Sequence, residues 1–89
     1  MRKKVVIIGA GGHAKVIADM IEKSGDEIVG FLDDNKKKGT TIIKEYKVLG
    51  DFNNRFPLAI ANSDYEFIIA IGDNKKREEI SHSPNLKFY

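Results

Sequence analysis

The sequence has no cysteine, so neither disulfide bonds nor thiolate metal sites are open to it. It also has little charge of one sign: a net +2 over 89 residues is too small to argue for a nucleic-acid partner. The one basic run, Lys36-Lys37-Lys38, reads as a solvated loop before it reads as a clamp for an anion. Long hydrophobic runs are missing as well. No stretch approaches the length of a membrane span, and Val5–Ile8 meets glycines too soon to serve as a secretory signal. No membrane partner is expected, and a cytoplasmic location is. No repeat or low-complexity segment occurs, no metal site is suggested, and no carboxylate-histidine-nucleophile pattern nominates a catalytic residue.

What is present describes an ordinary folded chain, 42% hydrophobic and 31% charged, long enough for one small domain over residues 1–89. Val5-Val6-Ile7-Ile8 reads as a strand buried on both faces, as at the centre of a parallel sheet. Ala14, Ile17, Ala18 and Ile21 then recur at helical spacing, with Val16 and Met20 widening the stripe, until Ser24-Gly25 closes the helix. Glu27–Leu32 is a second strand, which completes a βαβ unit. Residues 36–47 read as a polar loop with a short extended piece at Thr41–Ile43, followed by a short strand and turn at Tyr46–Asp51. A helical turn is expected within Pro57–Asn62, and Phe67–Ile71 is another buried strand. Lys75–Ile80 forms a helix capped by Asp73 or Asn74, and Leu86–Tyr89 an edge strand. The fold class is α/β, a small open sheet of parallel strands.

In such sheets ligands bind beyond the carboxyl ends of the strands, where strand order reverses. Three strand ends carry suggestive residues: Gly9–His13, Asp33-Asp34 and Gly72-Asp73-Asn74. The topology would bring them to one edge. Gly9-Ala10-Gly11-Gly12-His13-Ala14 fits G-x-G-x-x-[G/A] between a strand and a helix. Gly9 allows the tight turn, Gly11 lets a diphosphate approach the backbone, and Ala14 lets the helix pack closely. The helix N-terminus offers N–H donors and partial positive charge to the anion. His13 would donate to a phosphate or sugar oxygen, or stand exposed with no role. Asp33 lies 24 residues after Gly9, near the position of an acid that grips ribose hydroxyls in nicotinamide-binding folds. Asp-Asp-Asn-Lys is equally good turn material. Gly72, Asp73 and Asn74 would place backbone groups and an amide at the same rim, and Asp73 or Asn74 would also serve as a helix cap. Arg77 would sit one turn into that helix, either toward the phosphates or on the surface.

GAGGHA after the first strand, FLDD after the second, VLGD in the middle and FIIAIGDNKKR near the end together resemble the N-terminal domain of PglD-like sugar acyltransferases. These enzymes are related to the sialic-acid O-acetyltransferases, and the resemblance covers nearly the whole chain. It implies a small Rossmann-like unit that binds a nucleotide-activated sugar, typically a UDP-linked amino sugar, for cell-surface glycan synthesis. Gly11, Gly12 and His13 would meet the diphosphate or sugar, Asp33 and Asp34 the uridine part, and Gly72 the sugar-nucleotide rim. The resemblance further implies a left-handed β-helix of hexapeptide repeats that binds acetyl-CoA, forms homotrimers and carries the catalytic histidine. No hexapeptide repeat occurs in these residues, and His13 and His82 do not correspond to that histidine. The domain is expected to bind the sugar nucleotide, to hold no cofactor itself and to transfer no acyl group alone. Two other readings stay open: an NAD(P)-binding module of a dehydrogenase or redox-sensing regulator, and an interaction domain without a nucleotide.

Overall fold

Val5, Val6, Ile7 and Ile8 are each 0% exposed, as a central strand covered on both faces must be. They belong to β1 (Lys4–Ile8), the hub of a five-stranded sheet in a computed structural model that describes residues 2–50, 64–82 and 87–89. After β1 come α1 (Gly12–Lys23), β2 (Glu27–Leu32), β3 (Thr41–Ile43), β4 (Tyr46–Gly50), β5 (Glu66–Ile69) and α2 (Asn74–Ser81). The strand order is β3-β4-β2-β1-β5. β1 pairs in parallel with β2 on one side and β5 on the other, and β2 pairs in parallel with β4. The parallel α/β sheet expected is present, with β3 the exception: it folds back on β4 as an antiparallel hairpin. The helical turn expected within Pro57–Asn62 lies outside the described residues.

Alternate residues of β1 feed two cores. Val5 and Ile7 face α1 with Ala14, Ile17, Ala18 and Ile21, while Val6 and Ile8 join Leu32, Phe67 and Ile80 on the side of α2. Val16 and Met20 do not widen the buried stripe; they are 57% and 61% exposed. At about 100° per residue both fall on the far side of the helix from Ala14, Ala18 and Ile21. Helix α1 ends at Ser24, whose N–H bonds back to the carbonyls of Met20 and Ile21, and Gly25 follows at φ 85°.

The other flank of β5 is covered by the chain's last residues. Phe67 donates its N–H to Lys87 O at 2.8 Å and accepts from Tyr89 N at 2.7 Å, a parallel bridge centred on Phe88. The expected edge strand is thus present as a single bridge. The Tyr89 hydroxyl then donates to Asp26 at 2.7 Å, and the Lys3 N–H donates to the same carboxylate at 2.9 Å. These contacts tie both chain ends to the amino ends of the strands, opposite the edge where the glycine turn lies.

Candidate functional site

Strand order reverses at β1: the chain steps outward to β2 and β4, then returns to β5 on the other side of β1. The crevice such a reversal opens lies at the carboxyl ends of the strands. Pairing continues just past those ends. Gly9 donates its N–H to Leu32 O at 2.6 Å, and Ala70 donates to Ile8 O at 2.7 Å. The two strands flanking β1 are thereby held against the glycine turn.

A cleft of about 200 Å³ lies at this point, with Gly9, Ala10, Gly11, Asp33, Asp34, Gly72 and Lys76 among its lining residues. Its floor is apolar, supplied by Ile8, Leu32, Ala70, Ile71 and Ile80. The structure therefore brings together Gly9, Gly11, Asp33, Asp34 and Gly72, which the sequence had nominated from three separate stretches. Gly12, His13, Asp73 and Asn74 are not among the lining residues. Gly12 opens α1 and the exposed His13 follows it. Asp73 is the N-cap of α2, accepting the Lys76 N–H at 3.1 Å, and Asn74 is the first helical residue.

The nominated glycines differ in what they do. Gly9 sits at φ 110°, and a Cβ there would lie 3.0 Å from both Ala70 O and Ile71 Cγ1. The fold itself requires this glycine. At Gly11 and Gly72 a Cβ would meet nothing within 4 Å among the described residues, so these neighbours do not explain their small size. Gly11 is the N-cap of α1 in extended geometry; no side chain caps this helix and no acid stands in its first turn. An approaching anion would meet backbone N–H donors there.

The two aspartates are not equivalent. Asp33 accepts the Ala10 N–H on Oδ2 at 2.9 Å and the Asn35 N–H on Oδ1 at 2.7 Å, so each oxygen already has a backbone donor. The first bond locks the glycine turn to the end of β2; the second closes an Asx-type turn. Asp34 Oδ2 instead meets the Lys76 ammonium at 3.2 Å, with the two side chains 19% and 39% exposed. The cation at the cleft is Lys76 and not Arg77, the basic residue the sequence nominates in this helix. Arg77 is exposed and lines a separate groove with Ile69, Asn74, Glu78 and Ser81. The signal was available: Lys76 stands one turn before Ile80, the buried residue of α2, which sets it on the sheet-facing side.

Hydrogen bonds from Lys44 and then Tyr46 hold the Glu22 carboxyl below its ordinary range, pinning α1 to the β3–β4 turn. The Lys3 N–H, then the Tyr89 hydroxyl, do the same for Asp26. Among the described residues no three His, Asp or Glu side chains converge as a metal site would require, and no helix is long and apolar enough to cross a membrane.

A mostly parallel sheet covered by a helix on each face, with a glycine turn where strand order reverses, defines a small Rossmann-like α/β domain. The chain belongs to the PglD N-terminal domain family, whose model matches residues 4–83. It is 31% identical over 89 residues to a Bacillus subtilis protein named UDP-N-acetylbacillosamine N-acetyltransferase, covering 94% of this chain and 38% of that one. It is 35% identical over 83 residues to the uncharacterized protein L142 of Acanthamoeba polyphaga mimivirus, covering 89% of this chain and 15% of the other. Among solved structures it resembles a mutant of perosamine N-acetyltransferase from Caulobacter crescentus, determined in complex with CoA and GDP-perosamine. The TM-score is 0.73 and the identity 29%, over 88% of this chain and 35% of that one. The chain thus spans well under half the length of each of these relatives.

Proposed function

We propose that this domain binds a nucleotide-activated amino sugar at the β1 cleft, as the substrate-binding part of a sugar acetyltransferase. The observation that carries the reading is the convergence of the Gly9–Gly11 turn, Asp34 and Gly72 on one cleft, in a chain similar to one enzyme named for a UDP-sugar and to another solved with a GDP-sugar. The diphosphate would lie on the turn and the N-terminus of α1. The nucleoside or sugar would reach toward Asp34 and Gly72. His13 would contact the ligand from the first turn of α1, beyond the cleft itself. The cleft of about 200 Å³ is smaller than the roughly 300–1,000 Å³ of sites that enclose a whole small ligand. This supports a ligand held by part of its length, with the remainder reaching toward other protein surface.

In this reading the sugar is UDP-linked, as in the name of the Bacillus subtilis relative, and the work belongs to cytoplasmic steps of cell-surface glycan synthesis. Acetyl-CoA, the acyl-transfer chemistry and any trimer contacts would belong to a β-helix of the longer enzyme. The dinucleotide-module alternative is weakened by Asp33, which spends part of its acceptor capacity on the Ala10 and Asn35 N–H groups and is held by them. Calorimetric titration with UDP-N-acetylglucosamine, a GDP-linked sugar and NAD tests the reading. It expects the UDP-sugar to bind best; a preference for the GDP-sugar would correct only the base. Tighter binding of NAD than of either sugar nucleotide, or binding of none, would overturn it.

A further inference from the structure

Lys76 and Asp34 come from opposite flanks of the glycine turn. β1 lies between β2 and β5; Asp34 follows β2, and Lys76 belongs to the helix that follows β5. Their ion pair therefore reaches across the carboxyl end of β1, beside the backbone of Gly9–Gly11. Adjacent strands are about 4.8 Å apart, so the two flanks stand roughly 10 Å apart, and a long side chain is needed to cross.

The charges in the cleft sharpen the point. Among the described residues that line it, Lys76 is the one cation, set against the carboxylates of Asp33 and Asp34. Asp33 already accepts two backbone donors, from Ala10 and Asn35. A diphosphate arriving on the glycine turn would add further negative charge beside both acids. The helix N-terminus supplies only a partial positive charge, worth roughly half an elementary charge. Among the described lining residues, the ammonium on Asp34 supplies the full positive charge.

We propose that Lys76 is the phosphate clamp of this site and Asp34 its resting partner. On binding, the ammonium passes from Asp34 Oδ2 to the ligand's diphosphate, and that oxygen becomes an acceptor for donors of the nucleoside or sugar. A lysine suits the exchange, since its charge is compact and its four-carbon stem swings freely. The pair also presets the cleft: the acid holds the cation over the turn before any anion arrives. This inference rests on the nucleotide-sugar reading.

The test compares the unchanged 89-residue chain with Lys76→Met and Lys76→Arg, titrated with UDP and uridine and, in parallel, with GDP and guanosine. Loss of one charge-assisted phosphate contact predicts that Lys76→Met binds the preferred diphosphate roughly tenfold or more weakly. The matching nucleoside, which carries no phosphate, should bind it no more weakly than the unchanged chain, and Lys76→Arg should keep most of the diphosphate affinity. If Lys76→Met weakened nucleoside and diphosphate equally, Lys76 would only position Asp34 and the clamp would be refuted. Unaltered diphosphate affinity would refute it as well. Failure of the unchanged chain to bind either diphosphate would overturn the nucleotide reading itself, and the inference with it.

Discussion

Asp33 Oδ2 accepts the backbone N–H of Ala10 at 2.9 Å, joining the end of β2 to the middle of the glycine turn. An acid at this position invites reading as a ligand contact, yet its geometry is that of a brace. Replacing it with alanine would leave the half-buried Ala10 N–H and the Asn35 N–H without their acceptor. Asp33→Ala is expected to cost about 1–3 kcal/mol of stability, measured by urea unfolding. An unchanged midpoint would mean that the turn holds its shape without the brace.

Gly9 and Gly11 should separate folding from binding. Gly9→Ala forces a side chain onto the Ala70 carbonyl and Ile71 at a φ of 110°, and is expected to destabilise the domain by about 1–3 kcal/mol. Gly11→Val meets open space at φ −85° and should cost about 1 kcal/mol or less, while blocking the approach of a diphosphate to the backbone. Unfolding and UDP-sugar titrations on both variants check this. A Gly11→Val protein that binds normally would remove the phosphate from the turn.

Acid should loosen the domain through Asp26 and Glu22, whose folded pKa values lie below their ordinary ones. A depressed carboxyl contributes stability above its unfolded pKa, near 4, and loses it as pH falls through the lower folded value. Asp26→Asn and Glu22→Gln should therefore lower the melting temperature at pH 7, and the deficit should shrink as pH falls below about 4. A deficit that stays constant across the acid range would show that the charges contribute nothing. Tyr89 and Tyr46 act in the opposite sense: their hydrogen bonds to Asp26 and Glu22 raise their pKa values. Their contribution is complete below the ordinary tyrosine value and disappears as pH rises through the folded one.

Strong local patterns made most of this architecture readable. The β-branched run at Val5–Ile8 and the spacing of Ala14, Ile17, Ala18 and Ile21 each allow one structural answer, and the glycines between them mark the turn. The β3–β4 hairpin was hidden because its turn is Lys44-Glu45, with Lys44 at φ 52°, rather than a glycine or asparagine pair that announces a reversal. Gly30 was hidden for a different reason. A Cβ there would lie 2.7 Å from Leu49 Cγ and 2.8 Å from Lys47 O, so its role depends on a strand nearly twenty residues away. The site divided likewise. Residues at the strand ends, Gly9, Gly11, Asp34 and Gly72, followed from topology. The bracing role of Asp33 and the presence of Lys76 depend on side-chain geometry that spacing alone does not express.

The central claim is that a nucleoside diphosphate sits on the glycine turn at the carboxyl end of β1. Backbone amide chemical shifts, followed while UDP is added to the 89-residue chain, test it most directly. The account predicts saturable shifts at Gly9, Ala10, Gly11, Asp34 and Gly72, with little change at Met20 or Tyr89 on the far side of the domain. Shifts confined to the face around Met20 and Tyr89, with the turn amides unmoved, would contradict it.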